Sequence, residues 1–141
     1  MNDISMENRK AKFDYEWLDT WIAGVKLIGS EVKSIRAGKV DFTGSWCELV
    51  EGEMICHGLH IAESGVSFTH KAVQDRKLLL TKKELRKIAR VMDQGQTLIP
   101  VRIFCAKSGY IKMVVALCKG KKNWDKRETI KKRDLEREII M

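Results

Sequence analysis

Apolar and charged residues alternate with a period of two through much of the chain. Phe13, Tyr15 and Trp17 alternate with Asp14 and Glu16, and Trp21, Ala23, Val25 and Leu27 alternate with Ile22, Gly24 and Lys26. This period predicts strands, and Gly24 inside the second run predicts a bend or bulge. Ser30 is placed to cap a short helix with Val32 and Ile35 inward and Lys33 and Arg36 outward, ended by Gly38. Ser45 to Val50 and Met54 to Ile61 read as a hairpin around Glu51-Gly52-Glu53, and Glu63 to Asp75, without a period, as a loop. Thr97 to Cys105 and Tyr110 to Cys118 form a second hairpin, with Pro100 at an edge or a bulge. Between the hairpins stands the clearest helix signal. Thr81-Lys82-Lys83-Glu84 has capping-box form, and Leu85, Ile88, Ala89 and Met92 follow as one apolar stripe before Gly95. Residues 1–8 are polar and expected to be loose.

The pattern adds up to a mainly β fold of five or six strands with two to three attached helices. Short antiparallel strands must hide their edges, so a small closed barrel of the oligonucleotide-binding (OB) type fits best. The expected division is one barrel domain over residues 1–124 and a tail over 125–141, flexible when free. The tail is almost wholly charged, and its apolar face is a thin row of Ile130, Leu135 and Ile139.

Charge changes the picture from fold to partner. The 141 residues carry a formal net charge of +8. The excess is gathered in two blocks. Arg76 to Arg90 holds seven Lys or Arg against Glu84 alone, and Lys119 to Met141 holds nine against five acids. Such blocks suit a polyanion, nucleic acid first. Trp124 lies between Lys121-Lys122 and Lys126-Arg127, where an indole could stack on an unpaired base or anchor the tail to the barrel. No apolar run spans a bilayer and no signal core opens the chain, so a cytoplasmic protein without membrane contact is expected.

Enzymatic chemistry finds little support. Cys56-His57-Gly58-Leu59-His60 resembles a metal site only in composition: in an extended strand Cys56 and His60 share a face while His57 points away. Neither a metal nor another cofactor is expected. Glu31 could serve as a base but is better placed for a structural or RNA-orienting role. Cys47, Cys56, Cys105 and Cys118 read as reduced buried thiols, although Cys47 and Cys56 could meet across the first hairpin. A nuclease or a Cys–His hydrolase remains the enzymatic alternative, and a general barrel-type RNA-binding factor the non-enzymatic one.

Four segments in order resemble the SmpB family, the protein partners of transfer-messenger RNA (tmRNA). They are Asn8–Tyr15, Gly29–Lys39, Arg76–Leu80, and Lys119–Lys122 with Asp125–Glu128. The similarity runs from about Asn8 to Glu138. It implies an OB-type barrel, binding to the tRNA-like domain of tmRNA, delivery to stalled ribosomes, support of alanine charging, and a tail that probes the empty messenger channel. Carried over by position, Leu79 and Thr81 match RNA-contacting places, the latter often asparagine in relatives. A further place, often glutamate before Ala-Gly, is Ile22 here, so a polar contact is missing. Asp125, Lys126 and Arg127 match the ribosome-facing motif, with Trp124 beside them. The tail stops at Met141, sooner than in many relatives.

A monomer with two binding surfaces is expected. Asn8, Arg9, Lys10, Lys33, Arg36, Arg76, Lys77, Leu79, Thr81 and Lys82 would hold the RNA. Lys119, Lys121, Lys122, Trp124, Asp125, Lys126, Arg127, Lys131, Lys132 and Arg133 would meet the ribosome.

Overall fold

Six strands close into a ring in the computed structural model, which describes residues 4–63 and 69–120. Going round, the order is β8 (Gln96–Cys105), β4 (Trp46–Val50), β5 (Glu53–His57), β7 (Arg76–Leu79), β2 (Tyr15–Val25) and β9 (Ile111–Gly120), which pairs back onto β8. All pairings are antiparallel. The alternation read from the sequence delivers Trp21, Ala23, Cys47, Met54, Cys56, Leu78, Leu98, Ile103, Met113 and Val115 to the barrel interior. Closing the ring leaves no unpaired inner edge, the solution expected for short strands.

Pro100 sits at a bulge of β8, where the register against β9 shifts between Pro100 and Arg102, as the sequence suggested. The near-continuous apolar run Leu98–Val101 has a reason that alternation alone does not give. A short helix, α1 (Arg9–Asp14), lies over the outer wall. Ala11 packs there with Ile99, Val101, Ala116 and Cys118, so β8 and β9 are buried on both faces.

Several local expectations are corrected. Phe13 belongs to α1 and not to a strand, because Asn8 caps the helix: its Oδ1 accepts from Ala11 N at 3.3 Å while its Nδ2 donates to Pro100 O at 2.9 Å. Ser5–Glu7 is not loose; it forms β1, paired with β8 at Ser5–Phe104 to Glu7–Arg102. The bulge of β2 falls between Trp17 and Asp19, and Gly24 pairs regularly with Leu79. The strand expected over Met54–Ile61 is broken at Gly58, whose φ of +72° turns the chain. Its second part, β6 (His60–Ile61), pairs instead with β3 (Val40–Asp41).

Helix α2 (Gly29–Arg36) starts one residue before Ser30, and Glu31 does the capping by accepting from the Ile28 backbone N at 3.1 Å. Ser30 points elsewhere, its hydroxyl 2.9 Å from His70 Nδ1. Helix α3 (Lys82–Val91) has the anticipated capping box: Thr81 Oγ1 accepts from Glu84 N at 3.1 Å, and Glu84 Oε1 accepts from Thr81 N at 3.0 Å. Ile88 is buried and Leu85 and Met92 partly so, but Ala89 is exposed, so the apolar stripe is narrower than it reads. Cys47 and Cys56 do face each other across β4 and β5, as free thiols.

Candidate nucleic-acid interface

The expected RNA-binding residues fall on separate walls. Arg9 and Lys10 are exposed on α1, beside β8, while Asn8 is held by its cap. Lys33 and Arg36 project from α2, and the Arg36 guanidinium donates to Gly109 O at 3.3 Å in the β8–β9 hairpin. Leu79, Thr81 and Lys82 lie where β7 meets β2 and runs into α3. Since β7 and β8 stand on opposite sides of the ring, the Asn8–Lys10 cluster and the Leu79–Lys82 cluster do not merge into one patch.

Arg76 must be removed from the RNA surface. It is 2 % exposed, and its guanidinium is bound to the Glu31 carboxylate, which is 3 % exposed. Its remaining N–H groups donate to Leu59 O at 2.6 Å, Ala72 O at 3.1 Å and Lys71 O at 3.3 Å. Every donor is turned inward, so no phosphate can reach it. Glu31 thereby finds its role: it caps α2 with one oxygen and neutralises Arg76 with the other. Lys77 is also engaged, with Glu53 at 2.9 Å, although both side chains remain partly exposed.

What stays available around β7 is an apolar step with cations behind it. Leu79 is 50 % exposed and Ile22 59 % exposed, although both sit in paired strands. Gly24 explains how Leu79 lies flat on the wall: a Cβ at Gly24 would come within 3.3 Å of the Leu79 Cβ. Continuing the register Gly24–Leu79 outward places Ile22 opposite Thr81, the start of α3. Beyond Thr81 come the exposed Lys82 and Lys83.

The Cys56–His60 segment holds a buried thiol and two histidines with different surroundings. His57 is clasped between Asp75 at 2.7 Å and Glu48 at 2.7 Å, with the Trp46 ring tilted against it at a centroid distance of 4.6 Å. The Asp75 and Glu48 carboxylates raise its pKa above the ordinary histidine value. His60 is exposed, and among the described residues no group of three His, Cys, Asp or Glu is set to hold a metal. Two of the thiols are held protonated: burial pushes Cys118 up to about 12, and the facing Cys56 together with burial raises Cys47.

Lys119 is exposed at the end of β9, paired through its backbone with Glu16 and Gln96. Lys121, Lys122, Trp124, Asp125, Lys126, Arg127, Lys131, Lys132 and Arg133, and with them the expected tail, lie outside the described residues. No described helix is long and apolar enough to cross a membrane.

Comparison with known proteins agrees with the architecture. The family model described as SmpB protein matches residues 5–140. The SsrA-binding protein of Phocaeicola vulgatus is 48% identical over 139 residues, covering 96% of this chain and 93% of its own. That of Thermus thermophilus is 44% identical over 137 residues, 95% of each. A chain of the solved structure "tmRNA-SmpB: a journey to the center of the bacterial ribosome" superposes with a TM-score of 0.73 at 46% identity, over 85% of this chain and 86% of that one. With a family model spanning nearly its whole length and relatives close to half identical throughout, this chain belongs to the SmpB family.

Proposed function

We propose that this protein binds the tRNA-like domain of tmRNA and delivers it to stalled ribosomes for trans-translation, as a binding protein and not as an enzyme. One observation carries the reading beyond family membership. The apolar pair Ile22 and Leu79 is held outward at the start of a strongly basic helix, on a barrel whose interior is already full. An exposed apolar step flanked by cations suits a folded RNA, which offers ribose and base surfaces between phosphates. Ile22, in place of the glutamate common in relatives, gives that step more apolar area and one polar contact fewer.

The division of labour follows the charge blocks. Leu79, Thr81 and Lys82, with Lys33, Arg36, Arg9 and Lys10, serve the tRNA-like domain. Lys119 and the segment from Lys121 to Arg133, with Trp124 able to stack on an exposed rRNA base, serve the ribosome. Residues 125–141 form a tail that enters the empty messenger channel, and the site of action is the cytoplasm.

A gel-shift comparison tests this. The protein should retain the tRNA-like domain more tightly than ordinary tRNA, and Lys126→Ala with Arg127→Ala should leave that binding intact while tagging of stalled products stops. Equal affinity for the two RNAs would favour a general RNA-binding factor. Loss of RNA binding in the double variant would overturn the two-surface division.

A further inference from the structure

Helix α3 carries Lys82, Lys83, Arg86, Lys87 and Arg90 in a stretch of ten residues. At 3.6 residues per turn the five fall within an arc of about 140°, with Lys82, Arg86 and Arg90 spaced about 6 Å apart along one row. All five are exposed, and among the described residues none makes an ion pair or a side-chain hydrogen bond. The helix's one acid, Glu84, is occupied by the cap of Thr81, and Glu53, on the nearby hairpin, is taken by Lys77.

As a piece of helix design this arrangement is unfavourable. Lys82 and Lys83 stand in the first turn, where the helix dipole disfavours positive charge. Lys82 and Arg86, Lys83 and Lys87, and Arg86 and Arg90 are like charges four residues apart, which repel. A merely solvated face would gain from mixed signs. Beside the arc, Leu49, Gly52, Leu85 and Ala89 line a groove of about 370 Å³ with Lys82 and Arg86 at its rim. Apolar ground bordered by unpaired cations matches a strand of sugar and phosphate.

We propose that the cationic arc of α3 is a docking surface for the sugar-phosphate backbone of tmRNA's tRNA-like domain, with Lys83, Arg86, Lys87 and Arg90 as phosphate contacts beyond those already assigned. This rests on the RNA-binding reading above. The choice of tmRNA over ribosomal RNA follows from continuity. The arc begins at Lys82, one residue after Thr81 and three after Leu79, and so prolongs the patch assigned to that RNA under the proposed function.

The test is equilibrium binding of fluorescently labelled tRNA-like domain to the full chain, followed across a salt series. Replacing Lys83, Arg86, Lys87 and Arg90 together with Gln keeps helix propensity. Each lost phosphate contact should flatten the dependence of log affinity on log salt by about 0.9, so affinity at low salt should fall roughly tenfold or more. The control variant Lys71→Gln with Lys107→Gln removes two exposed charges elsewhere and, per charge removed, should change binding and salt slope far less. The four-fold variant should melt no lower than the native chain, since like-charge repulsion is relieved, which separates lost contact from lost fold. If the native chain binds and the variant binds with the same affinity and salt slope, the proposal is overturned while the function stands. If the variant instead keeps tmRNA but no longer joins ribosomes, the arc faces ribosomal RNA and the proposal is likewise overturned. If the native chain fails to bind, both fall.

Discussion

Glu31 and Arg76 are 45 positions apart in sequence and meet in the interior. Burying two charges is costly, and attraction offsets that only when every remaining donor and acceptor is met. Here the condition holds: Arg76 spends its donors on Glu31 and on the carbonyls of Leu59, Lys71, Ala72 and Gln74, while Glu31 accepts from Ile28 N as well. The pair therefore ties α2 and the chain before β7 to the barrel. Glu31→Gln keeps the shape but leaves the guanidinium uncompensated. It should lower stability by about 3–5 kcal/mol, seen as a reduced urea midpoint at unchanged slope. A loss under about 1 kcal/mol would mean the site is wetter than its burial indicates. The sequence placed Arg76 in a basic block and read it as surface. Nothing local distinguishes a cation whose counter-charge lies 45 residues away, and that is why the reading failed there.

Elements were legible where their signals are local. The box Thr81–Glu84, the bulge at Pro100 and both hairpins are short-range chemistry, and all are present. Elements defined by distant partners were not. Strand β1 exists because β8 offers it an edge, and β6 separates from β5 because Gly58 brings the chain against Gly44, where an added Cβ would stand 2.6 Å from Gly44 O. The candidate interface divides the same way: Leu79, Thr81 and Lys82 are exposed as the sequence suggested, whereas the scatter of Arg9, Lys10, Lys33 and Arg36 over other walls needed the barrel to be seen. Thr81 is the hinge between β7 and α3, and its side chain is committed to the cap. Thr81→Ala should cost about 1 kcal/mol, measured by thermal unfolding, and fray the first turn that carries Lys82 and Lys83. Thr81→Asn, with an equally good capping residue, should preserve stability. A Thr81→Ala protein as stable as the native chain would show that tertiary packing alone holds α3.

Across the whole molecule the ring is closed unevenly. β2, β9 and β8 pair along most of their lengths, and β4 with β5 and β5 with β7 form a smaller part of the same ring. Among the described residues the paired positions that join the two parts are few: Gly24–Leu79 and Val25–Leu78 on one side, prolonged by Lys26 N donating to Lys77 O at 3.0 Å, and Cys47–Leu98 on the other. Side chains from both parts, Met54 and Leu78 with Leu98 and Met113, share one core, so packing more than backbone pairing holds the seams. Partial opening should therefore follow the seams, and hydrogen exchange can read it. Amides of Val115 and Leu117 in β9 should exchange slowest, through global unfolding alone, while those of β7 and the first turn of α3 exchange earlier through opening of the smaller part. The proposed RNA contacts at Leu79, Thr81 and α3 sit on that smaller part, and Ile22 sits across the seam on β2. RNA that touches both sides would clamp the joint, so adding the tRNA-like domain should slow exchange in β7 and α3 far more than in β9. Uniform protection before RNA, or a gain confined to β8 and β9 after it, would show that the ring opens as one unit and that the RNA sits elsewhere on its wall.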